Sequence, residues 1–464
     1  MNVNDTIAAI ATPPGEGGVG IVRVSGAEAL KVAKALFTST DVFKDIKERH
    51  LYYGKVVSLA GETIDDSLMV FFKGPRSFTG EDTVEFQCHG GELILKKVLS
   101  ALLRAGAREA EPGEFTRQAF VNGKLDLAQA EAVLDIIKAG TNSALASSRG
   151  KLEGRFSRVV MAVKEPLVEL LARIESELDF SEEEITETPA EEIVKIVNEA
   201  EEALKKLVAS YLEGRAAIDG VRVLILGRPN VGKSSLLNVL LSEERAIVTP
   251  VPGTTRDVIE EIISVNHIPV RLIDTAGLRE STDEAEQIGV RFATERIPEA
   301  DIVLFVVDAT AASFTEDLEL FKKVEGKKVI IVANKIDLVG KDEWGEIKKI
   351  SGDRKLVFIS ALKKEGITEL EATIFELTTG RAPDKGVLLT ETLAAVVTSA
   401  RHKAVFESTL DGLYRVRSAL SEGAGRDIVS AELRWSVDRL GEITGETTTE
   451  DILDRIFSEF CIGK

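Results

Sequence analysis

The chain has 464 residues, 29% of them charged, and a formal net charge of −19. That length implies roughly three domains at about 150 residues each. The charge content, with no uncharged apolar run near the ~18–20 residues a bilayer span needs, excludes a collagen, a low-complexity chain and a membrane-spanning protein.

No basic residue precedes Arg23, so neither a secretory leader nor a transit peptide is expected. No segment is basic: residues 1–119 carry −2, 120–215 and 216–379 carry −7 each, and 380–464 carry −3. Proteins that grip RNA or DNA with their own surface present a basic face, so composition argues against such a clamp. Cys88 and Cys461 form neither a disulfide framework nor a zinc spacing, which points to a reducing cytoplasm. Four histidines argue against a multi-histidine metal centre.

Residues 1–119 mix β-rich runs, Gly20–Val24 and Leu68–Phe72, with a helical stretch at Gly90–Ala105. This predicts an α+β domain. Cys88 and His89 adjoin on an expected strand and should face opposite ways, which makes them structural rather than a dyad. Residues 120–215 turn helical, with apolar residues at helical spacing from Val159 through Val163, Leu167, Leu170 and Leu171 to Ile174. An acidic break, Ser181 to Pro189, separates two long helices, and Ser181 with Glu184 matches a capping box. Residues 216–379 alternate helical stretches with the runs Val221–Leu226, Val270–Ile273, Ile302–Val307, Val329–Val332 and Leu356–Ile359. That alternation predicts a parallel sheet covered by helices. The linker Thr379–Gly386 ends this domain, and helical texture resumes over 380–464. The α/β domain therefore reads as an insertion into a helical domain of two sequence segments.

Strand Val221–Leu226 runs into Gly227-Arg228-Pro229-Asn230-Val231-Gly232-Lys233-Ser234, a G-x-x-x-x-G-K-S loop that opens a helix. Its backbone N–H groups suit phosphate oxygens, Lys233 suits β/γ charge, and Ser234 offers a hydroxyl to Mg²⁺. Ser235 continues the same turn. Asp274-Thr275-Ala276-Gly277 closes a strand; Asp274 would reach Mg²⁺ through water and the Gly277 N–H the γ-phosphate. Thr255, within Gly253-Thr254-Thr255-Arg256-Asp257, is the candidate to complete the Mg²⁺ shell. In Asn334-Lys335-Ile336-Asp337, Asp337 can accept from guanine N1 and its amine, donors that adenine lacks. Lys335 can lie over the base, and Ser360-Ala361-Leu362 would offer the Ala361 N–H to guanine O6. Together these motifs specify GTP rather than ATP.

Leu278 occupies the position where Ras-like enzymes carry the water-orienting glutamine. A carboxylate of the following stretch, Asp283, Glu284 or Glu286, could orient water, although a solvated acidic loop is the simpler reading of spacing alone. Arg256 and Arg279 are arginine-finger candidates by proximity only. Asn230 offers a neutral oxygen to a monovalent cation that could supply the missing charge. Cys461 has the chemistry of a nucleophile, or is simply a small terminal residue.

The phosphate loop, Gly253–Asp257 and Asp274–Glu280 resemble the MnmE/TrmE tRNA-modification GTPases. So do the flanking segments Asp5–Gly15, Phe78-Thr79-Gly80-Glu81-Asp82, Asn122–Leu127 and the terminal Cys461-Ile462-Gly463-Lys464. The resemblance covers the whole chain, and it departs from the family pattern only at Val231, Pro250 and Pro252. It implies a folate-binding α+β N-terminal domain that also dimerises, a helical domain, and an inserted Ras-like G domain. It further implies a homodimer acting with an FAD-dependent MnmG-type partner in a hetero-oligomer. That complex uses NADH and a tetrahydrofolate one-carbon unit, as 5-formyl or 5,10-methylene derivative, to place an aminomethyl-type group on C5 of the tRNA wobble uridine. By position, Arg23, Glu81, Lys124 and Lys464 match folate contacts, and Glu286 the catalytic glutamate. Asn230, Thr249, Val251 and Thr254 match ligands of an activating K⁺ that works when G domains pair. Thr249 to Thr255, with Pro250, Pro252 and Gly253, would line the nucleotide. The rival reading is a ribosome-assembly or signalling GTPase switch without one-carbon chemistry. Such a switch should carry a basic RNA-binding appendage, and this chain has none.

Overall fold

The computed structural model describes residues 5–39, 46–140, 142–179, 187–211, 214–215, 220–241, 261–266, 268–273, 294–340, 344–380 and 397–464. These fall into two compact units, one of residues 5–134 with 438–464 and the other of residues 135–437.

The first unit is built on β1 (Ile7–Ile10), β2 (Gly17–Ser25), α1 (Ala29–Leu36), β3 (Phe37–Thr38), β4 (Leu51–Val57), β5 (Thr63–Phe72), β6 (Thr83–Gly90), α2 (Glu92–Arg104), β7 (Arg108–Glu109), α3 (Glu114–Val121) and α4 (Leu127–Lys138). The expected α+β character holds. Seven strands form one sheet in the order β3-β4-β5-β6-β2-β1-β7. Alternation along the strands sends Val22, Val24, Met69, Phe71, Phe86 and Cys88 to one face, where they bury against Val32 and Leu36 of α1 and Leu95, Val98 and Leu102 of α2. Ile7 and Ala9 point the other way, toward Ala110 and Phe115.

The chain's end belongs to this unit. Leu453 and Phe457 of the last helix (Glu450–Ser458), with Phe460, pack on Leu127, Ala130 and Leu134 of α4. Gly463 then runs so close to β1 that a Cβ would stand 2.3 Å from the Ile10 carbonyl, and its φ of +93° is one that side chains rarely adopt. A main-chain oxygen of Lys464 accepts from the Phe115 N–H at 3.1 Å.

In the second unit the helical stretch forms α5 (Asn142–Leu152), α6 (Arg155–Asp179) and α7 (Ala190–Ala209). The two long expected helices are α6 and α7. Pro189 stands at the N-cap of α7, whereas the Ser181–Glu184 capping box lies outside the described residues. Buried charge is paired here, as low dielectric requires. Lys151, 2% exposed, reaches Asp135 at 3.1 Å and the Thr398 hydroxyl, and Glu201 takes Lys205 and Arg417, each at 3.1 Å.

The α/β part follows: β8 (Val221–Gly227), α8 (Lys233–Leu240), β9 (Glu261–Val265), β10 (Ile268–Ile273), β11 (Ile302–Asp308), α9 (Thr315–Phe321), β12 (Lys328–Asn334), α10 (Gly345–Ser351), β13 (Lys355–Phe358) and α11 (Ile367–Thr379). The helices α12 (Ala400–Ser421) and α13 (Arg426–Thr444) come after it. The sheet order is β13-β12-β11-β8-β10-β9. Five strands are parallel, matching the five expected runs. Successive residues of β8 enter opposite cores, Val223 and Ile225 on one face and Leu224 and Leu226 on the other. That double burial explains their continuous apolar character.

The sheet carries one strand that was not among the expected runs. β9 joins the edge antiparallel to β10, with Ile263 opposite Val270. Only two residues separate the two strands, and Asn266 takes a φ of +46° there; so short a link can make a hairpin but not a crossover.

Among the described residues, no helix is long and apolar enough to cross a membrane. Cys88 is buried and His89 exposed on β6, as strand alternation requires. Burial, with the Asp65 charge second, pushes the Cys88 thiol up to about 12, while Cys461 is exposed. An aromatic disulfide reagent should therefore titrate one thiol in the native protein and two after unfolding. Reaction of both at similar rates in the native protein would contradict this packing.

Candidate functional site

The nucleotide loop leaves β8 at Gly227, whose missing side chain lets it lie against β11: a Cβ would meet the Val306 carbonyl at 2.4 Å. Two left-handed residues, Asn230 (φ +63°) and Gly232 (φ +96°), turn the loop back into α8. Lys233, 4% exposed, donates its ammonium to the Arg228 carbonyl at 2.6 Å, inside the loop. Ser234 and Ser235 sit in the first turn of α8, where unsatisfied N–H groups and the helix dipole favour anions. Arg228 is drawn away to α9, with 2.8 Å to Glu316 and 3.3 Å to Asp317. Burial raises the proton affinity of Asp317, against the pull of Arg228.

The residues expected to recognise the base lie at the carboxyl ends of β12 and β13, the usual ligand edge of a parallel sheet. The carboxamide of Asn334, 2% exposed, joins three segments. Its Nδ2 donates to the Val231 carbonyl in the phosphate loop at 2.9 Å, and its Oδ1 accepts from the Ala361 N–H at 3.0 Å. The Ala361 N–H expected to face guanine O6 is thus engaged by Asn334 in this structure. Val231 itself is buried, and a Cβ on Gly232 would stand 2.2 Å from Asn334 Nδ2.

Lys335 is left-handed (φ +66°), and its ammonium donates to the Asn230 carbonyl at 2.8 Å and to Asp308 at 2.6 Å. The Ser360 hydroxyl holds the Asp337 carboxyl below its ordinary range, so Asp337 is an ionised acceptor at neutral pH. Leu362, two residues after Ser360, is 85% exposed. Asp308, Thr310 and the Arg228 anchor were not expected from sequence. The apolar run ending in Asp308 gives a position at the ligand edge, but the partner of that aspartate lies 27 residues away. The remaining expected nucleotide and ion residues, Thr249 to Thr255, Asp274 to Gly277 and Glu286, lie outside the described residues.

In the first unit the four residues matched to folate contacts form two groups. Arg23 on β2 pairs with Glu85 at 2.7 Å and lies 5.6 Å from the ring centre of Phe115, whose N–H meets Lys464. Lys124 donates to the Pro75 carbonyl at 2.8 Å. Glu81 belongs to the same loop, which Asn122 fastens by donating to the Thr79 carbonyl at 2.8 Å. Burial raises the proton affinity of Glu81, against a hydrogen bond from Asn122. Glu81 also lines a cleft of about 780 Å³ with Asp5, Arg108, Glu114, Arg117 and Phe457; Arg23, Lys124 and Lys464 do not line it.

A strand, a G-x-x-x-x-G-K-S loop, a helix and an Asn-Lys-x-Asp turn wired to that loop define a P-loop GTP-binding domain. Residues 127–461 match the family model described as the MnmE helical domain, and residues 6–124 that of the GTP-binding protein TrmE N-terminus. Proteins called tRNA modification GTPase MnmE are similar along their whole length. That of Desulforamulus reducens is 44% identical over 100% of both chains, that of Geobacter sulfurreducens 43% over 100% of both, and that of Natranaerobius thermophilus 42% over 99% of both. Among solved structures, Aquifex aeolicus Era aligns with 41% of this chain and 66% of its own at 30% identity. Its TM-score of 0.27 is too low to bear on the fold. The chain belongs to the MnmE family of tRNA modification GTPases.

Replacing Asp337 with Asn exchanges one acceptor for a donor where guanine offers two donors. The expected result is a loss of GTP affinity of about tenfold or more, with xanthosine triphosphate gaining. Competition binding with the two nucleotides checks it; an unchanged preference for GTP would remove Asp337 from base recognition.

Proposed function

We propose that this chain binds and hydrolyses GTP in support of one-carbon modification at C5 of the tRNA wobble uridine, with an FAD-dependent MnmG-type partner. The observation that carries this reading is the full-length likeness to MnmE proteins, through both the N-terminal and helical family models, in a chain whose base loop and phosphate loop are bonded to each other. A switch of another class would share only the G domain.

In this reading Lys233 and the amides of Asn230 to Ser235 hold the phosphates, and Ser234 and Thr255 hold Mg²⁺. The residues present suit these groups. Ser234 sits in the first turn of α8 beside the loop, and Asn230 carries a neutral carboxamide oxygen of the kind that coordinates K⁺. Thr249, Val251 and Thr254 would complete the K⁺ shell, which supplies positive charge at the phosphates when two G domains meet. Glu286 orients the attacking water, since Leu278 has no polar atom to do so. The first unit would hold the tetrahydrofolate derivative, with Arg23, Lys124 and Lys464 for its glutamyl carboxylates and Glu81 for its pterin N–H donors, and would join two copies into a homodimer. Cys461 is the exposed thiol available to that chemistry. The net charge of −19 leaves most of the electrostatic grip on tRNA to the partner.

Hydrolysis should fall sharply when K⁺ is replaced by Na⁺ at equal ionic strength; an unchanged rate would remove Asn230 as a cation ligand. Glu286→Ala should lower kcat by about 100-fold or more with little change in GTP affinity. Turnover equal to wild type would end its catalytic role. Binding of tRNA by this chain alone should be weak and fall steeply with salt in a filter assay, whereas tight, salt-insensitive binding would contradict the charge argument.

A further inference from the structure

Asp308 stands at the end of β11, opposite Asn334 at the end of β12. The Ala309 N–H donates to the Asn334 carbonyl at 2.8 Å and locks the two strand ends together. One carboxylate oxygen of Asp308 accepts from both the N–H (2.9 Å) and the hydroxyl (2.7 Å) of Thr310. The other oxygen accepts from the Lys335 ammonium at 2.6 Å, and the same ammonium donates to the Asn230 carbonyl at 2.8 Å. Thr310, Asp308, Lys335 and Asn230 thus form one bonded line from a strand end to the phosphate loop.

Lys335 and Asn230 are both non-glycine residues at positive φ, a conformation that persists only where surrounding contacts enforce it. A lysine ammonium on a four-carbon stem does not fix its own position. Asp308 does so: it is itself clamped by two donors from Thr310, and it adds charge to the bond. Burial would raise the Asp308 carboxyl, but the bonds from Lys335 and Thr310 hold it below its ordinary range. It is therefore an anion throughout the neutral range.

We propose that Asp308 is a positioning residue that acts through Lys335 on two things at once, the base-recognition loop and the backbone of Asn230 in the phosphate loop. Guanine binding and cation binding are then linked through one ammonium. The second half of this inference rests on the reading of Asn230 as a K⁺ ligand; the first half needs only nucleotide binding.

The test uses the full chain and Asp308→Asn. This variant keeps the shape and an acceptor for Thr310 but turns an amide toward the ammonium. Affinity for a fluorescent GDP analogue, measured without K⁺, should fall about tenfold, as expected for loss of one charge-assisted hydrogen bond. The K⁺ concentration giving half-maximal GTP hydrolysis should rise severalfold. In a Lys335→Ala background the same substitution should change either quantity by less than about twofold, because its route of action is gone. Wild-type GDP affinity in Asp308→Asn would overturn the proposal. So would an equally large loss in the Lys335→Ala background, which would mean that Asp308 acts through the strand end alone. If wild-type hydrolysis ignores K⁺, the cation reading falls and the link to Asn230 falls with it. If wild-type hydrolysis depends on K⁺ and the half-saturation of Asp308→Asn is unmoved, only the link falls.

Discussion

The nucleotide site depends on one buried carboxamide. Asn334 spends its amide hydrogen on the phosphate loop and its oxygen on the loop after β13. A side chain with a donor at one end and an acceptor at the other is needed, because both partners are backbone groups of opposite type. Aspartate would lack the donor and leave the Val231 carbonyl unpaired; leucine would strand both, at about 1–3 kcal/mol for each buried group. Gly232 follows from the same contact, since any Cβ there would collide with the amide. The glycine of the phosphate motif and the asparagine of the base motif are therefore one constraint written at two places in the chain.

The sheet supplies the rest of the precision. β8, β11 and β12 are buried on both faces, so their carboxyl ends are fixed relative to one another before any ligand binds. The loops at those ends carry the polar groups that the strands cannot hold. The first unit is organised differently, with one face of its sheet under α1 and α2 and the chain terminus drawn in beside β1. Arg23, Phe115 and Lys464 come from distant parts of the sequence and meet there.

Much of this was legible in the sequence. The five parallel strands and the phosphate loop announce themselves through unbroken apolar runs and glycine spacing, which are local signals. The edge strand β9 was missed because its five residues sit against a two-residue link and offer little periodicity. Asp308 meets its partner Lys335, and Lys151 its partners Asp135 and Thr398, only in the folded chain. Such pairings are set by tertiary packing, and no short window of sequence contains both partners. The residues proposed as folate contacts belong to the same class. Arg23 and Lys124 are ordinary charged residues by composition, and only the family resemblance singled them out.

The central claim is that this GTP-binding chain serves the modification of tRNA at the wobble uridine. The most direct measurement is mass spectrometry of nucleosides from tRNA of cells lacking the chain, with and without the wild-type chain restored. The account predicts that the C5-substituted wobble uridine disappears, with unmodified or partly modified uridine in its place, and returns on restoration. A nucleoside profile identical with and without the chain would contradict it.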